Sequence, residues 1–406
     1  MTKLERKFFD FVQKYILMFL LGAVTITGII IHLCGIDFQS DDYQSFLYPW
    51  WLQIKNGGTQ GLATQVGNYN IPYQIITCIF TLLPIGPLYS YKLLSIIFDF
   101  VLACSAALLV RDFCNNKSVV KSVIAYSLVF CSMTVVLNSA FWAQCDSIYV
   151  SFILLAIYFL RKEKNIASFV MLGIALAFKL QFIFILPVFL YYYVSTRKVS
   201  ILHFLIIPAV DFIMCLPAVI LGRNMLDIFT IYADQTDYGK LIQMNCPNIY
   251  AFMCSGSDIN NYYLLKTLSI VLTITVLGIG LALVIYKKVD LKSTENFLIA
   301  SIWTVFTCIM FLSSMHERYS YLLDILLIIY TVVTTKRVWL TVACNLVSLR
   351  GYCYYLFTFE AIDLKTTAVI YIALYAYVTY MFVKDVIMNG KKVSRSENIK
   401  LTPVKE

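Results

Sequence analysis

Charge is scarce in this chain. Only 14% of its 406 residues are Asp, Glu, Lys or Arg, against about a quarter in a soluble domain. Histidine is scarcer still, with three copies. The His-Glu-Arg-Tyr stretch at 316–319 lacks the second histidine four residues on that a zincin helix needs. Twelve cysteines are present but no C-x-x-C pair, which excludes zinc-ribbon and thioredoxin-type motifs. Most of them lie in apolar runs, where cysteine behaves as a small hydrophobe. There is no internal repeat at 20–50-residue spacing and no low-complexity tract, so solenoids and disordered scaffolds are also set aside.

What fills the chain is apolar. Hydrophobic residues make up 60% and the mean hydropathy is +0.77. Apolar stretches close to the ~20 residues needed to cross a bilayer recur from end to end. This composition predicts an all-α, polytopic helical membrane protein. The opening MTKLERKFFDFVQK is basic and enters a long apolar run with no small-residue cleavage site, which reads as an uncleaved signal anchor.

The net charge of +9 is distributed as a membrane protein's is, with nothing in its placement that suggests nucleic acid. Lys and Arg gather in short loops, in RDFCNNKSVVK (111–121), RKEK (161–164), STRK (195–198), KKVDLK (287–292) and TKR (335–337). Such loops face the cytoplasm. Twelve spans (range 10–13) satisfy that rule with both termini inside: 15–35, 89–110, 119–138, 146–160, 165–178, 181–195, 200–221, 264–286, 296–314, 320–334, 338–357 and 366–384. Residues 71–87 are apolar but bracketed by Pro72, Pro84 and Pro87. Counting them as a span would turn every later basic loop outward, so they read as a re-entrant or interfacial helix. Residues 1–384 form one transmembrane domain, followed by a polar, disordered cytoplasmic tail, 385–406. Two large outer loops, 35–88 and 222–263, are long enough to be functional. Cys246 and Cys254 in the second could form a disulfide in an oxidising exterior.

This topology gathers the polar residues at the outer ends of spans. The first outer loop opens with SDDYQSFLYPWW (40–51), carrying Asp41, Asp42 and Tyr43, and ends near VGNYNIPYQ (66–74), with Tyr69 and Asn70. NSAFWAQCDSIY (138–149) supplies Trp142, Gln144 and Asp146; AFKLQFIFILP (177–187) supplies Lys179 and Gln181; SSMHERYSY (313–321) supplies His316, Glu317 and Arg318. Taken singly, these residues have plainer readings. Asp42 and Asp146 would be ordinary loop acids, Trp50, Trp51 and Trp142 interfacial belt anchors, and Lys179 a snorkelling side chain. Asp99, Asp211 and Asp324 lie inside spans, where ionisable groups are costly and are functional or paired; a packing role suits Asp211. Taken together, carboxylates with Lys and Arg at one face suit attack of a hydroxyl on a sugar bearing a phosphate leaving group. A carboxylate takes the hydroxyl proton, and cations neutralise the departing phosphate.

The same six stretches, SDDYQSFLYPWW, GNYNIPYQ, YKLLSIIFDF (91–100), NSAFWAQCDSIY, AFKLQFIFILP and MHERY, occur in an order that resembles the GT-C class of membrane glycosyltransferases. More specifically, they resemble bacterial relatives of the second mannosyltransferase of glycosylphosphatidylinositol assembly. The resemblance implies a GT-C-type fold and inverting transfer of a hexose, mannose-like, from a polyprenyl-phosphate donor to a glycan, glycolipid or protein acceptor. It places the active site on the extracytoplasmic face of the plasma membrane. It selects the Asp before Tyr43, Asp42, as the base, with Asp41 tuning it or binding acceptor. Lys179 and Arg318 would take the donor phosphate and His316 would bond phosphate or sugar. Tyr43, Tyr69, Asn70, Trp142, Gln144, Gln181 and Glu317 would line the substrate site. Asp146 would position the acceptor or hold a divalent cation (Mg or Mn), though no ligand spacing demands a metal. Two residues depart from the family pattern: Ala143 stands where Gly is usual, and Leu180 where Pro often follows the Lys. A polysaccharide polymerase or ligase, and a lipid or glycan transporter, are the competing readings.

Overall fold

The computed structural model describes residues 1–237, 239–253 and 259–393. Among them are sixteen α-helices and only two short strands. The helices are α1 (Lys3–Leu33), α2 (Tyr48–Gly57), α3 (Ile71–Thr81), α4 (Pro87–Phe113), α5 (Val119–Phe130), α6 (Met133–Val136), α7 (Asp146–Arg161) and α8 (Asn165–Phe178). They continue as α9 (Leu186–Thr196), α10 (Ile206–Ile220), α11 (Asp227–Thr236), α12 (Ile259–Tyr286), α13 (Thr294–Phe311), α14 (Tyr321–Thr334), α15 (Val338–Phe357) and α16 (Leu364–Met381). The protein is an all-α polytopic membrane protein. Six helical segments are long and apolar enough to cross a bilayer alone, and the bent α5–α6 pair makes a seventh. The remaining rods are shorter. The α3 helix, at 11 residues, covers only about 16 Å at 1.5 Å per residue, too short to cross, and Pro72 sits in its first turn.

The core runs through α4, α5, α7, α8, α13 and α14. α7 packs along both α4 and α8, and α14 lies between α5, α13 and α15. α13 and α14 are buried almost all round, which is why their sequences show no polar face. α1, by contrast, leaves most of its apolar surface outward. Buried carboxylates inside the bundle have partners. Asp99 sits 3.2 Å from His32 Nε2, Asp211 accepts from Asn70, and Asp324 accepts from Ser348 at 3.0 Å.

The basic loops meet at one end of the bundle. Arg161 and Lys162 flank Asp112 at 2.8 and 2.6 Å, and Arg161 also donates to the Lys292 carbonyl. Lys198 pairs with Glu163, and Lys336 with Glu295 at 2.7 Å. The polar tail begins here too, but its first nine residues are structured. A π-helical turn, Phe382–Met388, extends α16 and buries Val386 and Ile387. The strand-like segment after it bridges to the loop between α12 and α13, with Asp290 N donating to Lys391 O and Val393 N to Lys288 O. The apolar residues at 386–387 supply the anchor that a polar tail lacks. Residues 394–406 lie outside the described residues, as does Cys254 and with it the pairing with Cys246. The acids and aromatics between α1 and α4 gather at the opposite end, since α7 runs from Asp146 at one end to Arg161 at the other.

Candidate active site

Two π-helical turns shape the site, one on each side of its central carboxylate. Asp42 leads into the turn Tyr43–Leu47, which runs on into α2. Opposite it, α6 widens into the turn Leu137–Phe141, closed by Trp142 N donating to Leu137 O at 2.9 Å. A π-turn shifts the phase of the side chains beyond it. Here it delivers Trp142 inward, fully buried, instead of to the membrane interface. Ala143 then adopts φ +62°, a left-handed conformation that costs an L-residue about 1–2 kcal/mol and that glycine adopts freely. This is the physical reason for a glycine at that position of the box. Beyond it, Gln144 is buried and Asp146 opens α7, where a carboxylate suits the helix dipole.

Asp42 is held by three neutral donors. Trp142 Nε1 and Gln144 Nε2 reach Oδ2 at 2.7 and 2.9 Å, and the Tyr355 hydroxyl reaches Oδ1 at 2.5 Å. A carboxylate offers about four acceptor positions, so one remains, on a side chain still 20% exposed. Gln144 itself is fixed by the Tyr69 hydroxyl, which donates to its Oε1 at 2.6 Å. Tyr355 lies flat on Trp142, with ring centroids 4.0 Å apart.

Behind this layer sits a charged one. Lys179 Nζ is 2.5 Å from Asp146 Oδ1, and Asn138 donates to Asp146 Oδ2 at 2.7 Å. Both partners of the pair are almost wholly buried. Lys179 is the extended residue (φ −150°, ψ 137°) between α8 and the 3-10 turn Leu180–Ile185. That backbone is the one a following proline prefers, so Leu180 occupies a helix-start position where Pro would also fit. Arg318 lies between the acids, 3.8 Å from Asp42 Oδ2 and 3.7 Å from Asp146 Oδ2. Its guanidinium stands 5.0 Å over the Trp142 ring. It is buried, yet its Nε has no hydrogen-bond partner among the described residues. A buried cation with long contacts to two carboxylates is poorly satisfied, which equips it to receive an anion.

The segment between α11 and α12 positions the HERY segment. Gln243–Met244 (β1) pairs in parallel with Met315–His316 (β2), while Ser314, at φ +58°, donates through N to Ile242 O and through Oγ to Leu241 O, both at 2.7 Å. Burial and the Arg318 charge push His316 down to about 3, so its imidazole is neutral. Burial pushes Glu317 up to about 7. Glu317 packs on Gly351 so closely that a Cβ there would stand 2.7 Å from the Glu317 Cβ.

A cavity of about 230 Å³ opens beside Arg318, with His316, Gln181, Tyr69 and Lys266 on its polar wall. Its other wall is apolar, including Ile183 and Ile270, each more than 40% exposed on the outside of the bundle. Lys266, from α12, was not signalled by the sequence motifs; it also pairs with Asp237. Tyr355 and Asn138 were missed as well. Tyr355 sits in an apolar span of ordinary appearance, and Asn138 stands in the quoted Trp-box stretch without a charge to mark it.

Other expected site residues stand apart from Asp42 or are already paired. Asp41 is exposed, and Tyr43 is buried among Leu47 and Trp51. Asn70 caps α3 through Ile71 N at 2.8 Å and donates to Asp211 at 3.0 Å, so its amide serves packing. Lys179 is committed to Asp146. Asp146, with an ammonium on one oxygen and an amide on the other, is a poor metal ligand. Among the described residues no group of three His, Cys, Asp or Glu side chains is placed to hold a cation.

A family model for glycosyltransferase family 87 matches residues 68–314. The chain belongs to glycosyltransferase family 87. It is therefore a membrane glycosyltransferase. The matched stretch includes Tyr69, Trp142, Gln144, Asp146 and Lys179, and the fold brings Asp42 and Arg318 to them from either side of it. A comparison with curated proteins returns no match.

Proposed function

We propose that the protein is an inverting GT-C-type hexosyltransferase, related to the glycosylphosphatidylinositol second-mannosyltransferase group. It would take its sugar, mannose-like, from a polyprenyl-phosphate donor on the extracytoplasmic face of the plasma membrane. The observation that carries this reading is the pairing of Asp42 with the under-satisfied Arg318 at a cavity whose apolar wall faces outward. The donor phosphate is received by Arg318, with His316 and Lys266 within the same cavity, and the isoprenoid chain follows Ile183 and Ile270 toward the lipid. Phosphate binding replaces Asp42 as a partner of Arg318, leaving the carboxylate to the acceptor. The acceptor hydroxyl gives its proton to Asp42 as its oxygen bonds to the anomeric carbon. The bond from that carbon to the phosphate oxygen breaks, and its electron pair leaves with the phosphate. Neutral donors around Asp42 hold the carboxylate in place without neutralising it, as a base requires. The Lys179–Asp146 pair positions Arg318 from behind.

The gathering of basic loops at the far end supports cytoplasmic termini and an outer active site. Supplying the purified full-length protein with labelled polyprenyl-phosphate hexoses tests the proposal. Transfer with inverted anomeric configuration is expected. Transfer from a sugar nucleotide, with none from any polyprenyl-phosphate donor, would overturn it.

A further inference from the structure

A second cleft, of about 350 Å³, adjoins the first, and Asn68 and Gln235 line both. The transfer step above does not use it. Phe46 and Trp50 form one wall, and Asp227 and Asp234 of α11 stand on another. Phe46, in the π-turn that follows Asp42, and Trp50, in α2, both face the cleft. The Phe46 and Trp50 rings are 5.9 Å apart. Trp50 meets the Tyr69 ring at 5.5 Å, and Tyr69 bonds to Gln144, which bonds to Asp42. Gly67, at φ +66°, lets the loop lie on the indole, because a Cβ there would stand 2.2 Å from the Trp50 ring. The cleft thus has an aromatic floor leading away from the carboxylate and a fringe of amides and acids.

We propose that this cleft is the acceptor subsite and that it takes a neutral or amino-substituted saccharide. The inference rests on Asp42 being the base. A sugar ring has apolar C–H faces and a hydroxyl rim, which an aromatic floor with amide and carboxylate edges matches. The volume is at the small end of ligand pockets (~300–1,000 Å³), the scale of a mono- or disaccharide. No Lys or Arg lines the cleft among the described residues. Arg223 offsets Asp227 at 2.8 Å, while Asp234 is exposed, so a phosphate- or carboxylate-bearing acceptor meets like charge.

The test is intrinsic tryptophan fluorescence of the full-length protein in lipid nanodiscs, titrated with neutral, amino and uronic-acid methyl glycosides and disaccharides. A saturable change is expected with neutral and amino members, and weaker binding of the uronic acids. Asp234→Ala should weaken neutral-sugar binding about tenfold, the value of one hydrogen bond to a charged group, and narrow the gap to the uronic acids. Since Asp234 is exposed, its loss leaves the core intact. Phe46→Ala should weaken binding as well, whereas Asp42→Asn should still bind. The proposal is overturned if no neutral or amino sugar gives a saturable change, if Asp234→Ala binds like the parent, or if uronic acids bind as tightly. Saccharide binding without transfer from any polyprenyl-phosphate donor would support the cleft and overturn the donor assignment alone.

Discussion

The two ends of this bundle carry similar charges under opposite conditions. At the basic end Lys336 and Glu295 pair at 2.7 Å with both side chains 40% exposed or more. At the acid end Lys179 and Asp146 pair at 2.5 Å with both almost wholly enclosed. Exposed pairs contribute about 0–1 kcal/mol. Breaking an enclosed pair by removing one partner costs about 3–5 kcal/mol, because a charge is left without compensation. The first end gathers exposed charge, as loops on the cytoplasmic side of membrane proteins do. The second fixes individual atoms, using neutral donors on Asp42 and long contacts on Arg318, an arrangement that favours reactivity over stability.

Substitutions at the two ends should therefore differ in kind. Arg318→Met should lower transfer by roughly 100- to 1,000-fold, the scale of removing a charge-stabilising donor, with the protein still extracted as a folded monodisperse species; undiminished turnover in a radiolabel transfer assay would refute the role. Tyr355→Phe removes one of three donors to Asp42 and should reduce turnover by about tenfold, since a hydrogen bond to a charged group is worth ~1.5–3 kcal/mol. Glu317 sharpens the comparison through pH. Burial raises its folded-state value to about 7, above the ordinary 4.5 of a free glutamate. Its contribution to stability is thus complete below the ordinary value and is lost as pH rises through about 7. Melting temperature should fall between pH 5 and pH 8 in the parent and fall less in Glu317→Gln, as read by thermal unfolding in detergent (pH range set by the linkage relation). At the basic end, Lys336→Ala should change stability by no more than about 0.5 kcal/mol and leave transfer unaltered.

How much of this was legible in the sequence depended on the physics each residue obeys. Hydropathy and basic loops outlined the helical rods because the bilayer constrains length and charge directly. The short α3 was readable from its prolines. The Trp box was readable as a motif, but its purpose was not. Trp142 is buried rather than interfacial because a π-turn rotates it inward, and no local propensity announces that turn. Ala143 marked a departure from pattern, and the positive φ gives the reason. Asn70 carried the same polar signal as Gln144, yet one caps a helix and the other holds Asp42. Tyr355 was invisible because its partner is 313 positions away. The tail reversed the expectation in miniature: Val386 and Ile387 anchor it against residues brought close only by the fold.

The central claim is that Asp42 is the base, positioned by Trp142, Gln144 and Tyr355. It is tested most directly by Asp42→Asn in the full-length protein, which keeps the side-chain shape and removes the proton acceptor. Transfer from a labelled polyprenyl-phosphate hexose should fall by about 100-fold or more, the scale of general-base catalysis, with saccharide binding and folding retained. Transfer at the parental rate in that variant would contradict the account.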